Sequence, residues 1–507
     1  MRSRILAGAV AGLIVTWIGY LAFIWAGVPF LPALLSDLFF SILPGDLQAE
    51  GIATLGVLAK PLTLYSFMLL QVAGLAIGSA PRATTTSWLV HAFLIIAPMY
   101  LILSLISTSP AAPIVLIAIS VVGLIGLHWM LFSFIDSRLT PAELDEVVDG
   151  VLEQKQYRRR EFLTSLATAA GALLLWPVVS RQLTSSATSV EIPSDPVTLP
   201  PLSMDDIDGL PPALTPTPDF YYVSKNLLPH QGRANEPLVI DGLVENPLSI
   251  TVEELIEMDA IEEYVTLMCV DYEPHNSMTN SLISNGLWKG VPLSKLLDLA
   301  GGPTPGLYLE MHATDGYSTA IPIEQAYEVP ETMIAYMLNG QALNGRHGFP
   351  ARLIAPGIYG FKNPKHINKI SVTDQKYYGY WEGNGWAYEA PVKLMSRIST
   401  PLEGQRVALL EERWIAGIAY SGRHGISKVE VSTDDGYSWS QAEIETPLSQ
   451  YSWERWAFRW TPNHLGETSL LVRATDSRGE LQDSRITRAF PAGATGYHRV
   501  RTHIVEG

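Results

Sequence analysis

Charge is spread so unevenly along this chain that it needs two environments to fold. Residues 1–135 hold seven charges: Arg2, Arg4, Asp37, Asp46, Glu50, Lys60 and Arg82. They sum to +1, so the remainder must carry −17 for the total to reach −16. A nearly uncharged first quarter joined to an acidic remainder predicts a membrane part linked to a water-exposed part. The 507 residues give room for about three domains and a large core, so size demands no disulfide or metal staple. The acidic balance argues against nucleic-acid binding, which wants a basic face.

A membrane span needs about 20 apolar residues. Residues 5–28, 62–80, 88–107 and 111–135 qualify, predicting a four-helix transmembrane region over 1–135. Residues 29–45 are apolar but broken by prolines, and read as an interfacial or re-entrant segment. A cytoplasmic segment, 136–161, leads to a fifth transmembrane or export-signal helix, 162–180. Arg2, Arg4, Arg82, Arg138, Lys155, Arg158, Arg159 and Arg160 fall on one side of these spans, and only Lys60 on the other. The positive-inside rule then puts the N-terminus in the cytoplasm and everything after about residue 180 outside, at the cell membrane. Arg159-Arg160-Glu161-Phe162-Leu163 resembles a twin-arginine export signal set inside the chain; a plain arginine cluster that fixes topology reads equally well. His91 and His128 sit toward the cytoplasmic ends of adjacent spans, where they could ligate a b-type haem or simply hydrogen-bond near the interface.

Residues 181–218 hold eight prolines and no sustained apolar period, which predicts an extended tether. Residues 219–401 mix helical pieces (252–258, 293–299) with short strands (307–311, 353–355, 367–372), an α+β pattern. Residues 402–507 show turn-bounded alternating runs at 426–432, 439–444, 456–460 and 469–474, which predict an Ig-like β-sandwich.

Cys269 is the one cysteine, which excludes internal disulfides, Cys-ligated iron–sulfur clusters and C-x-x-C-H haem attachment. An apolar run, Tyr264 to Met268, delivers it to the start of a loop. A thiol there can ligate a soft metal, act as a nucleophile, or simply be buried.

A set of stretches in order resembles the sulfite oxidase family of molybdopterin enzymes. They are Phe220-Tyr221-Tyr222-Val223-Ser224-Lys225-Asn226, the run 238–248, Thr266-Leu267-Met268-Cys269 and Leu287-Trp288-Lys289-Gly290-Val291-Pro292. Asp315-Gly316-Tyr317-Ser318, His347-Gly348-Phe349-Pro350-Ala351-Arg352 and Gly360-Phe361-Lys362-Asn363-Pro364-Lys365 follow. Residues 402–507 resemble that family's dimerisation domain, with Gly436, Trp439 and Trp456 among the matching positions.

The resemblance implies an enzyme, a molybdenum-cofactor oxidoreductase that transfers an oxygen atom to or from a small sulfur-type substrate such as sulfite or a sulfoxide. It implies that Cys269 ligates molybdenum and that Tyr317 stands beside the reacting oxygen. It implies that Tyr221, Tyr222, Lys225, Asn226, His347, Arg352, Asn363, Pro364 and Lys365 hold molybdopterin. It also implies an electron carrier, cytochrome or quinone-linked, and allows a homodimer. The rival reading is a membrane electron-transfer or transport protein whose outer domain is a non-catalytic binding or sensor module. On the residues alone, Trp288 and Trp381 read as core.

One departure bears on substrate. Where the family follows its cysteine with an Asn-Arg-type segment that binds sulfite, this chain reads Val270-Asp271-Tyr272-Glu273-Pro274-His275-Asn276-Ser277. Two acids without an arginine repel an anion, which brings a neutral oxide forward beside sulfite. Arg346 or Lys362 could supply the missing cation if the acids point away. His275 reads either as a polar substrate contact or as a surface loop residue.

Overall fold

The computed structural model describes isolated residues between 12 and 51, the helix 59–78, and residues 194–506 apart from 196, 201–202, 227–231, 233–235 and 303–306. The chain divides into two compact units, residues 1–41 with 58–187, and residues 42–57 with 188–507. In the first, helix Ala59–Gly78 covers the second expected span. Lys60 and Pro61 at its start and Gln71 within it interrupt the apolar run. Among the described residues, no helix is long and apolar enough to cross a membrane, so the expected transmembrane bundle finds no support there. The expected spans at 88–107, 111–135 and 162–179, the histidines His91 and His128, and the Arg159-Arg160 pair lie outside the described residues.

In the second unit, the expected tether 181–218 is fastened down along much of its described part. The Asp195 N–H donates to the Gly340 carbonyl at 2.8 Å, and its carboxylate takes Lys289 at 2.7 Å. The Ser203 and Met204 N–H groups donate to Glu445 at 2.8 and 3.0 Å. Arg455 binds Glu445 at 2.7 Å and Asp205 at 2.8 Å. Thr215 and Asn285 exchange hydrogen bonds at 2.9 and 3.1 Å. Proline-rich sequence cannot build its own ladder, but this strap finds donors and acceptors in the domain it crosses.

The α+β part then runs β1 (Leu238–Gly242), β2 (Leu248–Ile250), a helix Val252–Ile256, β3 (Ile261–Met268), β4 (Ile283–Pro292), a helix Leu293–Leu299, β5 (Tyr308–Ala313) and β6 (Ser318–Pro322). A helix Glu324–Glu328, β7 (Met333–Leu338), β8 (Gln341–Ala342), β9 (Arg352–Ile354), β10 (Ile367–Thr373) and a helix Tyr380–Gly383 complete it. One sheet has the order β2-β1-β10-β5-β6; the other has β3-β4-β7-β8, with β9 also on β7. β5 alternates, burying Leu309, Met311 and Ala313 while Glu310 and His312 face outward. β7 is buried at every residue because neighbours flank it on both edges. Thr251 and Glu254 form a reciprocal capping box that starts the helix Val252–Ile256.

The sandwich comprises β11 (Met395–Thr400), β12 (Arg406–Ala408), β13 (Arg413–Tyr420), β14 (Ile426–Ser432), β15 (Ser440–Gln441), β16 (Glu443–Ile444), β17 (Glu454–Trp460), β18 (Gly466–Asp476) and β19 (His498–Val505). Its sheets have the orders β11-β13-β17-β16 and β12-β19-β18-β14-β15. Val429, Val431, Trp456, Leu470 and Val472 fill the space between them. The sandwich starts before the expected residue 402, since β11 pairs with β13.

Candidate active site

β3 ends one residue before the thiol. Val265, Leu267 and Met268 anchor the strand in apolar surroundings, and Cys269 begins the loop beyond it. The Cys269 N–H donates to Leu282 at 2.9 Å, and its carbonyl accepts from Tyr272 at 3.1 Å, so the backbone carrying the sulfur is fixed on both sides. The residue is only 7% exposed, yet it lines a cavity.

Five other segments line this cavity, residues 315–317 and 381–386 and three more. The first is the turn 344–352, where Asn344 captures the N–H groups of Arg346 and His347 at 2.9 and 3.1 Å. Arg352, at the start of β9, donates to the carbonyls of His347 and Asn363, both at 3.1 Å. The second is the loop 360–365. The Asn363 side chain accepts from the Ala355 N–H at 2.6 Å and donates to the Tyr359 carbonyl at 3.1 Å, and Lys365 donates to the Val223 carbonyl at 2.9 Å. The third is the end of the strap, Phe220 to Lys225. Gly360 is required where strap and loop meet, because a Cβ there would lie 1.9 Å from the Tyr221 hydroxyl.

Cations gather along one stretch of wall: Arg346, Arg352 and Lys365, with His347 among them. Burial, then Arg352, Lys365 and Arg346, hold His347 down at about 3, so it is neutral at any ordinary pH. Burial brings Arg352 down to about 10. Around the sulfur the wall is different. Cys269 and Val270 belong to one apolar cluster with Trp386, and Phe361 and Trp381 pack against it. Burial, then the charge of Asp271, push the thiol well above its usual range, while the N–H groups of Asp271 and Val270 oppose them. A thiol so held is inert as a nucleophile but suits a soft cation that would displace its proton. Asp271 is pushed up to about 7 by burial and by Glu273, and its Oδ1 has no hydrogen-bond partner among the described residues. The Tyr317 hydroxyl donates to the Phe361 carbonyl at 2.5 Å; burial, then Glu382 and Asp315, keep it protonated.

Nine of the eleven expected site residues line the cavity together: Cys269, Tyr317, Tyr221, Lys225, His347, Arg352, Asn363, Pro364 and Lys365. Tyr222 and Asn226 stand one layer back. Lys365 and Arg346 sit 4.0 and 5.1 Å over the Tyr222 ring, and Asn226 accepts from Lys225 at 2.9 Å and donates to the Asp315 carbonyl at 3.0 Å. The two acids after the cysteine separate. Asp271 lines the cavity, but Glu273 turns away to accept from the Ala489 N–H at 3.1 Å and braces the loop. His275 lies beside Glu273 at 3.7 Å and is not in the cavity wall. Trp288 is core as expected, with Arg352 5.1 Å over its ring, whereas Trp381 lines the cavity. Sequence reasoning did not single out Phe220, Val223, Ser224, Asp315 or Trp386 as site residues. All but Trp386 are chain neighbours of residues it did choose.

Residues 228–381 match the oxidoreductase molybdopterin binding domain, and residues 384–505 the Mo-co oxidoreductase dimerisation domain. The chain is 25% identical over 344 residues to mitochondrial sulfite oxidase of Mus musculus, which covers 58% of this chain and 62% of that protein. It is 28% identical over 351 residues to nitrate reductase [NADH] 1 of Arabidopsis thaliana, covering 57% of this chain and 38% of that one. The chain therefore spans less than two thirds of the length of these relatives. Among solved structures, the sulfane dehydrogenase SoxCD of Paracoccus pantotrophus shares the fold, with a TM-score of 0.50 and 23% identity over 62% of this chain and 90% of that chain.

Proposed function

The chain belongs to the sulfite oxidase family of molybdopterin-dependent oxidoreductases, and from that premise we propose that it transfers an oxygen atom to or from a small, neutral sulfur oxide. The observation that carries this reading is the composition of the cavity: a buried thiol in apolar surroundings, with Arg346, Arg352 and Lys365 along one stretch of wall and Lys225 over the Tyr380 ring. That donor set fits an anionic, phosphate-bearing dithiolene cofactor with a soft metal.

Molybdopterin, when bound, supplies a molybdenum centre that exchanges an oxygen atom and two electrons with the substrate. Cys269 would supply the thiolate that holds the metal, whose charge would favour loss of the thiol proton. Arg352, its guanidinium held by the carbonyls of Leu353, His347 and Asn363, would offer its charge and its remaining N–H groups to a phosphate, with Lys365 and Arg346 beside it. The Asn363 side chain fixes the loop that closes over the cofactor. Tyr317, protonated and committed to the Phe361 carbonyl, offers its oxygen as an acceptor at the reacting end. Asp271, its carboxyl raised to about 7, disfavours anions only above about that pH, where it is ionised. The overall balance is thioether plus water giving sulfoxide, two protons and two electrons, run in either direction with an electron carrier, cytochrome or quinone-linked, taking or giving the electrons.

The same proposal places the enzyme at the outer face of a membrane, attached by apolar segments within 1–135 and at 162–180, and paired with a second copy through the sandwich. The charge asymmetry of the N-terminal part supports the first point, and the match to a dimerisation domain supports the second. Metal analysis of the purified full chain tests the core of the reading. Stoichiometric molybdenum in the wild type and loss of turnover in Cys269→Ser are expected; wild-type protein free of molybdenum would refute it. Export is tested by Arg159→Lys with Arg160→Lys, which should strand the domain inside if a twin-arginine signal carries it.

A further inference from the structure

β3, which leads into Cys269, lies at the edge of its sheet: the order β3-β4-β7-β8 leaves one side of it without a strand among the described residues. An edge strand frays unless something covers it. Here the cover comes from the sandwich. The Thr266 N–H donates to the Tyr451 carbonyl at 2.9 Å, and the Thr266 carbonyl accepts from the Tyr420 hydroxyl at 3.0 Å. The Ser449 hydroxyl donates to the Tyr264 carbonyl at 2.7 Å, and the Trp453 N–H to the Thr266 hydroxyl at 2.8 Å. Beyond the sulfur, the C-terminal part of the chain takes hold again. Arg397 donates to the Asn280 carbonyl at 3.3 Å, and the Ala489 N–H to the Glu273 carboxylate at 3.1 Å. Between these grips, Met268, Cys269 and Val270 pack in one buried cluster with Ile418, Tyr420 and Trp453.

On the β3 side, most of these contacts are made by backbone groups. The sandwich therefore acts on the course of the main chain that presents the sulfur. A metal ligand works only if it is held to within about 0.5 Å of its productive place, by groups that are themselves locked. Tyr420 is such a group: it is 1% exposed, closes β13, and is not among the residues lining the cavity. We infer that the sandwich positions the sulfur. Tyr420 and the segment 449–453 hold the strand, and Arg397 holds the loop beyond, so that Cys269 meets the metal in a fixed place. Tyr420 is a positioning residue that acts through Thr266. This rests on the reading of Cys269 as the metal's ligand and extends it, making the C-terminal domain a structural part of the metal site.

Cys269 is the one cysteine, so thiol labelling reports on it alone. The test alkylates the full-length protein, produced without molybdenum, with iodoacetamide, and follows the rate by mass spectrometry. Tyr420→Phe keeps the ring and removes the hydroxyl that holds Thr266; Ser449→Ala removes the hydroxyl that holds Tyr264. Tyr451→Phe is the control, since its hydroxyl joins the same two domains through Glu331 at 2.7 Å without touching β3. Urea midpoints show how far each change loosens the fold as a whole. Tyr420→Phe and Ser449→Ala should each speed labelling about three- to tenfold, the shift expected when one hydrogen bond no longer opposes opening, and Tyr451→Phe by less than about twofold. In the holoenzyme, molybdenum X-ray absorption should show a more disordered sulfur shell in Tyr420→Phe and an unchanged one in Tyr451→Phe. Wild-type labelling rates in both strand variants, or an equal rise in the control, would overturn the inference. If Tyr420→Phe does not fold, Ser449→Ala decides alone. Wild-type protein that takes up no molybdenum yet labels in this pattern would uphold the positioning and refute Cys269 as a metal ligand.

Discussion

Lys362 and Glu382 form a fully buried ion pair behind the cavity wall, 2% and 5% exposed. Lys362 also donates to the Ala320 carbonyl at 2.9 Å and lies 4.4 Å over the Tyr388 ring, and Glu382 accepts from Thr319 at 2.6 Å. Burial pulls the Lys362 pKa below its ordinary value despite the raising effect of Glu382, so the pair does not fully offset its own desolvation. What it does is geometric. It ties the loop 360–365, whose Phe361 carbonyl takes the Tyr317 hydroxyl, to the helix Tyr380–Gly383, which carries Trp381. Lys362→Met leaves a buried carboxylate with Thr319 as its main remaining partner, which should cost about 3–5 kcal/mol. The double variant Lys362→Met/Glu382→Leu removes both charges and should cost no more than about 1–2 kcal/mol, giving a coupling of at least about 2 kcal/mol. Urea midpoints for the wild type, both singles and the double close the cycle. Turnover should fall in all three variants, because Tyr317 and Trp381 lose their common brace. A Lys362→Met variant destabilised by less than about 1 kcal/mol, or a double variant with wild-type KM and kcat, would refute the reasoning.

Cys269→Ser should lose turnover while its far-ultraviolet circular dichroism stays that of the wild type, since the side chain is nearly the same size. Glu454, buried and raised to about 7, is neutral in the fold when an unfolded carboxylate would already be ionised. Its contribution to stability is therefore complete below about pH 4.5 and is lost as pH rises toward 7, by roughly 3 kcal/mol. Glu454→Gln should flatten that part of the stability–pH profile, measured by urea unfolding from pH 4 to 8. Glu445→Ala leaves the buried Arg455 with only the exposed carboxylate of Asp205 and frees the N–H groups of Ser203 and Met204. It should expose residues 203–210 to limited proteolysis that the wild type resists.

The parts of the fold that were legible in the sequence are those whose signal is local. The helix Leu293–Leu299 and strand β14 fall on the expected residues, because apolar spacing and bounding turns fix both. β4 reads poorly as a strand because Gly286 and Gly290 interrupt it. Gly286 is there for a tertiary reason, since a Cβ would come within 2.8 Å of the Phe220 ring. The strap was not legible at all. Its partners, Asn285 and Glu445, lie 70 and 242 residues further along the chain, and no window of sequence holds both sides of those contacts. In the site, Cys269, His347 and Arg352 follow from type and order. The opposite orientations of Asp271 and Glu273 do not, because they depend on whether the Ala489 N–H arrives to take one of them.

That strap sets an order of events during synthesis. Ser203 leaves the ribosome long before Glu445, the residue that fastens it, 242 positions later. At ordinary elongation rates that interval is roughly 12–50 s. Throughout it, residues 203–204 lack their clamp, whereas Thr215 and Tyr221 already have Asn285 and Ser284 to pair with. The sandwich is thus a late latch. The last residue lining the cavity, Trp386, is made 59 positions before Glu445, so the complete cavity precedes this clamp by only about 3–12 s.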